Sequence, residues 1–574
     1  MKKLLVYLKD YRKEALLGPL FKLLEAGFEL IVPLVVAAII DRGIAQRDQG
    51  YILRMCLVLV ALGIVGLVCS VTAQYFAAKA SVGFVTRLRH ALYVHIQDFS
   101  YSALDQVGIS TLITRMTSDM NQVQTGLNLT LRLLLRSPFV VFGAMIMAFT
   151  IDVPSALWFV AAIPVLSAVI FGIMLISLPL YRKVQEKLDR VLGITRENLT
   201  GVRVLRAFGR EDSETEHFRD QNENLTALQK RVGRISALLN PVTYVLINLA
   251  ILLLMHTGSL RVDAGLISQG AVIALYNYMS QILVELIKLA NLIINITKSV
   301  ASGKRIQAVL DLPAGEPVQA EAPAGDARFR VQFCHAGLKY AGAMGESLSD
   351  VSLSVLPGET VGVIGGTGSG KSTLVHLIPR FYEATEGRVL VDGKDVRSLD
   401  PSALRGRIGL VPQKAVLFHG TIRDNLRWGR ENASDEELLA AAEAAQAMDV
   451  LAAKGGLDGM IEQGGRNLSG GQRQRLTIAR ALVRQPDILI LDDSSSALDF
   501  ATDAALRRSL RELPSRPAVF VVSQRTSSSR HADQIIVLDD GHVAGIGRHD
   551  DLLKTCPVYQ EIYDSQFRKE AVTA

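Results

Sequence analysis

Over the first three hundred residues, apolar side chains run in long stretches with few polar interruptions; beyond them the pattern shortens to apolar runs of four or five residues bounded by glycines and charges. Stretches able to cross about 30 Å of hydrocarbon as a helix, roughly 20 residues, occur at 16–40, 52–78, 131–151, 154–179, 240–258 and 270–296. Six membrane spans are predicted. The first is too long for a cleaved leader, carries Lys22, Glu25 and Glu29, and is followed by no small-residue cleavage site, so it is expected to stay in the mature chain.

The connections alternate in length and charge. The turn Ile151-Asp152-Val153 carries no Lys or Arg, whereas Lys2, Lys3, Lys9, Arg12 and Lys13 precede span 1 and twelve basic residues lie between Arg182 and Arg234. Positive charge accumulates on the cytoplasmic side, which places both termini in the cytoplasm of a multi-pass protein of the cell membrane. The long connections after spans 2 and 4 keep a helical period and many charges, and read as cytoplasmic extensions that present short transverse helices. Thr117-Ser118-Asp119 and Phe208-Gly209-Arg210-Glu211-Asp212 are the expected contact points. Within the spans, Glu25 and Glu29 share a face at i, i+4, and Glu285 and Lys288 lie at i, i+3. Charges at membrane depth are costly and usually face a cavity or a partner. A polar substrate cavity lined by spans 1 and 6 is therefore expected; the competing reading makes Lys22 and Glu25 ordinary surface charges on a protruding helix.

Composition sharpens the division. The 574 residues are 49% hydrophobic and 21% charged with a net charge of +6. Residues 1–306 hold 32 Lys+Arg against 21 Asp+Glu, a net of +11, leaving 30 against 35, a net of −5, for the rest. Because the positive excess lies with the apolar runs, nucleic acid is not the expected partner. Cys56, Cys69, Cys334 and Cys556 have no paired spacing, so neither a disulfide framework nor a zinc site is indicated.

A stretch rich in Pro, Ala, Gly and Glu between Pro313 and Asp326 reads as a linker. The expected domains are 1–305 in the membrane, a linker at 306–328, and a soluble domain at 329–574. In the soluble part the short strand Val361–Ile364 runs into Gly365-Gly366-Thr367-Gly368-Ser369-Gly370-Lys371-Ser372-Thr373, followed by helical Leu374–Ile378. Strand, glycine-rich loop and helix form a phosphate-binding loop: backbone N–H groups wrap phosphates, Lys371 adds a point charge and Ser372 can ligate Mg²⁺. A second apolar strand, Ile488–Leu491, ends in Asp492, placed to hold Mg²⁺. Between them Leu468-Ser469-Gly470-Gly471-Gln472 opens a basic helix, another anion-receptive N-terminus.

Taken together these motifs resemble an ATP-binding cassette exporter half-transporter: a six-helix transmembrane bundle with long cytoplasmic helix extensions, then one α/β P-loop nucleotide-binding domain. The resemblance covers nearly the whole chain in the family order. It implies that Tyr340 stacks on adenine, Gly365 to Thr373 are Walker A, Gln413 is the Q-loop, Leu468 to Gln472 the signature, Ile488 to Asp492 Walker B and Ser496 to Asp499 the D-loop. ATP and Mg²⁺ are the implied cofactors, with Ser372, Gln413 and Asp492 around the metal. It further implies a dimer in which each nucleotide lies between one chain's Walker A and the other's signature.

Two positions depart from the family pattern. After Asp492 the family usually has glutamate, where this chain has Asp493, and the switch loop usually has histidine, where Val521-Val522-Ser523-Gln524-Arg525 has Gln524. Aspartate is one methylene shorter, about 1.5 Å, and a displacement of roughly 1 Å can cost about 10²-fold in rate. Glutamine donates a hydrogen bond but neither carries charge nor transfers a proton near neutral pH. The expectation is a degenerate site that binds Mg-ATP and hydrolyses it slowly, beside an intact signature. That combination resembles one subunit of a bacterial heterodimeric, multidrug-type exporter, its partner a second half-transporter with the usual Glu and His. The expected substrate is amphipathic or hydrophobic. A homodimeric exporter of lipid or peptide with weak hydrolysis through Asp493 is the alternative; an importer subunit would commonly keep its domains on separate chains, and a soluble cassette ATPase would lack the spans.

Overall fold

Six helical segments of 42 to 53 residues account for most of the N-terminal half: Lys3–Ile44, Gln49–Gln97, Ile109–Ile151, Val153–Thr200, Glu211–Asp263 and Gln269–Leu310. At 1.5 Å per residue each is about 60–80 Å long, roughly twice the hydrocarbon thickness, so each contains a span and continues beyond it. The computed structural model describes residues 3–567 other than 314, 316, 317 and 319–324. Lys2 and the middle of the expected 306–328 linker lie outside the described residues. The chain divides into two compact units, one of Met1–His95 with Ser110–Leu312, the other of Ile96–Ile109 with Pro313–Ala574.

In the membrane unit, the helix Gln49–Gln97 turns Leu53, Leu57, Ile64 and Leu67 outward and buries Ala73, Ala77 and Ala80 completely. Lipid tails are as apolar as leucine, so large apolar residues gain nothing by leaving them, while small residues let helix backbones approach. Gly126 shows the limit of this: a Cβ there would collide with the Cβ of Ser299 on the sixth segment. The tight turn after the third segment is built by Asp152, which caps the next helix through the Ser155 N–H at 3.0 Å and pairs with Arg261 at 2.6 Å.

The first transverse helix is Tyr101–Val107, not the expected Thr117-Ser118-Asp119. Ser100 caps its start by accepting from the Ala103 N–H at 3.3 Å, and Gly108, at φ +78°, ends it. Residues 115–119 instead continue the third segment as a widened turn, with Asp119 buried between Arg115, at 2.8 Å, and Arg305. The transverse helix belongs to the second unit, where Tyr101 stacks on Phe381 at 4.1 Å and Tyr382 donates to Asp105 at 2.6 Å. In the second long connection the short helix Val202–Ala207 precedes a turn through Phe208, Gly209 and Arg210, with Phe208 76% exposed.

The second unit contains a six-stranded sheet ordered His542–Gly547, Gln534–Asp539, Thr360–Gly365, Ala518–Val522, Ile488–Asp492, Ile408–Val411, parallel except for its first pair. A four-stranded antiparallel sheet, Leu348–Val355, Val331–Leu338, Glu386–Val391 and Lys394–Asp395, accompanies it. The strands Ile488–Asp492 and Ala518–Val522 are buried at every position, as parallel strands covered on both faces must be. The strands ending at Gly365, Val411, Asp492 and Val522 deliver their following residues to one end of the sheet, where ligands of open α/β sheets bind.

Candidate nucleotide site

The loop after Thr360–Gly365 closes on the helix Lys371–Leu377, and Gly370, at φ +94°, joins them. A Cβ at Gly370 would stand 2.6 Å from the carbonyl of Ser347, so both backbone angle and space require glycine. Lys371 is drawn across the loop: its ammonium donates to the carbonyls of Gly365, at 2.9 Å, and Gly366, and reaches Ser369 Oγ at 3.4 Å. Thr367, Gly368, Gly370 and Lys371 to Thr373 line a cleft of 230 Å³. Its other walls are Gln413, Asp492, Asp493 and Ser523-Gln524, with Ser347, a residue the motifs did not mark.

Asp492 is 3% exposed and accepts from the Ser372 hydroxyl at 2.9 Å. One carboxylate and one hydroxyl in contact form a hard oxygen donor pair suited to Mg²⁺, which binds through few protein oxygens and keeps several waters. His376, unmarked by the sequence, brings its Nε2 to 3.7 Å from Asp492, beyond hydrogen-bond reach; burial holds its pKa below the usual histidine range.

Asp493 adopts φ +45°, a left-handed conformation that costs a side-chain-bearing residue about 1–2 kcal/mol. It is held there by its N–H on the Val522 carbonyl at 3.0 Å and by the Ser496 hydroxyl on its own carbonyl at 2.9 Å. Gln413 Nε2 reaches its carboxylate at 3.5 Å. Burial pushes the Asp493 carboxyl above the ordinary carboxylate range and the charge of Asp492 adds to this, against the opposing effects of Gln413, Lys371 and Arg525. Burial likewise depresses the Lys371 ammonium, countered by Asp493 and Asp492. The cleft thus holds one cation, Lys371, and two carboxylates, Asp492 and Asp493, a setting that phosphate oxygens and a divalent cation would complete.

Tyr340 lies beside this loop, its hydroxyl 3.0 Å from Thr373 Oγ1 and its ring edge-on to Tyr382 at 4.9 Å. The signature residues are elsewhere. Leu468 is buried, and Ser469 caps the helix Gly470–Val483 through a reciprocal pair, Gln472 N–H to Ser469 Oγ at 3.3 Å and Ser469 N–H to Gln472 Oε1 at 2.9 Å. Gly471 abuts the D-loop, where a Cβ would meet the Ala497 carbonyl at 3.0 Å. None of Leu468 to Gln472 lines the cleft that holds Lys371.

The charges expected at a membrane cavity fall into two groups. Lys22 pairs with Glu25 at 2.5 Å and donates to Ser70 at 3.3 Å. Glu29, Glu285 and Lys288 converge on Arg136, a residue the sequence pattern did not single out: Arg136 bonds Glu29 and Glu285, each at 2.6 Å, while Glu285 also accepts from Ser137 at 2.9 Å and Lys288 at 2.8 Å. Glu285 is 3% exposed, whereas the side chains of Glu29 and Lys288 are 41% and 44% exposed. The available signal was charge balance: an arginine opening an apolar run, with unpaired acids in other runs.

Two family models match, the ABC transporter transmembrane region over residues 15–286 and the ABC transporter model over 348–496. The chain is 36% identical to the uncharacterized ABC transporter ATP-binding protein YfiB of Bacillus subtilis, over 99% of both chains. It is 38% identical to an uncharacterized ABC transporter ATP-binding protein of Mycobacterium tuberculosis, over 98% of this chain and 97% of that one. An ATP-dependent lipid A-core flippase of Chromobacterium violaceum is 30% identical over 99% and 97%. In fold, the chain matches the structure of a bacterial Atm1-family ABC exporter with ATP bound, at a TM-score of 0.79 and 23% identity over 97% and 98%. Membrane region, ATP-binding domain and full-length relatives agree, and the fold is that of an ABC exporter: the chain belongs to the ABC transporter family, as a multi-pass half-transporter that joins one membrane region to one ATPase domain coupled to transport.

Proposed function

We propose that this chain is the degenerate-site subunit of a heterodimeric ABC exporter in the cell membrane, with both termini cytoplasmic. The observation that carries the reading is the composition of the cleft: Asp493 and Gln524 face the same space as Lys371, Ser372 and Asp492, and Ser469 to Gln472 do not. Lys371 and the N–H groups after Gly366 bind phosphate oxygens, and Tyr340 offers a ring to adenine. Ser372, Asp492 and Gln413 would hold Mg²⁺, which would supply charge neutralisation at the phosphates. Asp493 stands where a water-polarising carboxylate belongs but stops about 1.5 Å short. Gln524, at the position where the family's switch-loop histidine contacts the terminal phosphate, donates a hydrogen bond there without charge. Nucleotide is bound firmly and hydrolysed slowly, while Ser469 to Gln472 complete the hydrolytic site of a second half-transporter that carries Glu and His.

The substrate class is amphipathic or hydrophobic, drug-like or lipid, a reading that full-length similarity to lipid A-core flippases supports. The charges at Glu29 and Lys288 are the accessible polar features of the membrane unit's ion cluster and are assigned to the substrate pathway; Glu25, paired to Lys22, lies on the same helix. The purified chain alone is expected to bind Mg-ATP with little turnover, and co-purification with a consensus half-transporter is expected to raise turnover. Normal exporter ATPase activity from the chain alone, abolished by Asp493→Asn, would establish the homodimer instead.

A further inference from the structure

Residues 523–525 connect the strand Ala518–Val522 to the short helix Thr526–Ser529, and this segment is tied down from two directions. Ser523 is 1% exposed; its N–H donates to the Val363 carbonyl at 3.1 Å and its hydroxyl accepts from the Arg525 N–H at 3.0 Å. The next residues are held from outside the loop. Gln566, near the end of the C-terminal helix Pro557–Phe567, accepts from both the N–H and the hydroxyl of Thr526 at 2.9 Å and donates to the Gln524 carbonyl at 2.8 Å. A carboxamide offers acceptor and donor on one planar head, and only one of its two flips satisfies all three bonds.

The helix that carries Gln566 is itself anchored. Tyr559 is fully buried with its hydroxyl 2.8 Å from His549 Nδ1, in a cluster with Ile535, Val537, Leu552 and Cys556. Gln524 is exposed on the cleft wall, between the buried Ser523 and the backbone that Gln566 holds. A supporting residue that holds an outer loop in register acts through the orientation of the group it holds, as outer partners do for metal ligands.

We propose that Gln566 is a positioning residue for the nucleotide site: by clamping the backbone on both sides of Arg525, it sets the Gln524 side chain where it meets the terminal phosphate, so the C-terminal helix tunes discrimination between ATP and ADP. This rests on the nucleotide-site reading above. ADP lacks the phosphate that Gln524 would meet, so the clamp acts on ATP affinity and leaves ADP affinity alone.

The test is equilibrium competition of Mg-ATP and of Mg-ADP against a fluorescent trinitrophenyl-ATP on the purified full chain. Gln566→Leu is expected to lower the ATP-over-ADP preference about 5- to 10-fold, the worth of roughly one hydrogen bond, with ADP affinity unchanged. Gln566→Glu, which keeps an acceptor for Thr526 and loses the donor to Gln524, is expected to fall between. In a Gln524→Ala background Gln566→Leu is expected to add nothing, because the two act as one unit. An undiminished preference, an equal loss for both nucleotides, or an undiminished effect of Gln566→Leu in the Gln524→Ala background would overturn the proposal. Unchanged ADP affinity reports that the variant is folded. Failure of the wild-type chain to bind ATP would strike the nucleotide-site reading itself, and is visible before any variant is made.

Discussion

The membrane unit and the nucleotide-binding unit each contain a cluster of buried charge, and the two are built on opposite principles. Around Arg136, two carboxylates and two cations balance, and the buried Glu285 takes its partners from the chain: Arg136, Ser137 and Lys288. Around Lys371 the contacts within hydrogen-bond reach are backbone carbonyls and a serine hydroxyl, while Asp493 is met by a glutamine amide only at 3.5 Å. Burial raises the cost of every ion in both. Where the chain meets that cost with its own partners, as at the buried Glu285, the charge is structural; where it leaves charge with neutral hydrogen-bond partners, the cluster is made for something that arrives.

Removing a partner should separate the two most sharply. Glu285→Leu leaves the buried Arg136 with only the more exposed Glu29 in the membrane unit, and the loss of a buried pair's partner is expected to cost up to about 3–5 kcal/mol, read as a fall in thermal unfolding temperature in detergent. Nucleotide affinity should not change. Glu29, far more exposed, should cost well under that when replaced by Gln, about 0–1 kcal/mol. Next in size, Asp493→Glu combined with Gln524→His is expected to raise single-turnover hydrolysis in the assembled exporter by about 100-fold, the penalty attached to a misplaced catalytic group; no gain would place the slow step elsewhere.

Lys371→Ala is the converse of the Glu285 variant. It should weaken Mg-ATP binding roughly 10- to 100-fold, the worth of a charge-assisted hydrogen bond, while the unfolding temperature without nucleotide stays close to wild type. The smallest expected effect concerns pH. The Asp493 carboxyl is raised by burial, so the unfolded chain gives up this proton first as pH climbs past its ordinary value near 3.8. From there to the folded value the native state loses stability, and above it the penalty is complete. Asp493→Asn should therefore raise the unfolding temperature of the nucleotide-free chain at neutral pH, with the gain shrinking toward about pH 4. A gain that grows on acidification would reverse the assignment.

Much of the architecture was legible because its signals are local. A span needs only consecutive apolar residues, and the phosphate loop only its glycines between a strand and a helix, so the six spans and the Lys371 loop emerge from short windows. The first transverse helix falls away from its expected place because Thr117 to Asp119 look like a polar break. The break that counts is Ser100 capping and Gly108 in a left-handed turn, a weaker signal inside a long run of continuous helical periodicity. Arg136 escapes any local window, since its partners stand 107 and 149 residues away. Gln566 carries no motif at all.

Sequence alone determined that this chain spans a membrane six times and carries one nucleotide cassette with Asp493 and Gln524 in unusual places, because hydrophobic length and loop chemistry are properties of neighbouring residues. The tertiary structure decided which charges are satisfied within the chain and which face the cleft. It also decided that the C-terminal helix holds the switch loop, because hydrogen bonds between distant segments exist only once sheet and bundle have brought them within bonding reach.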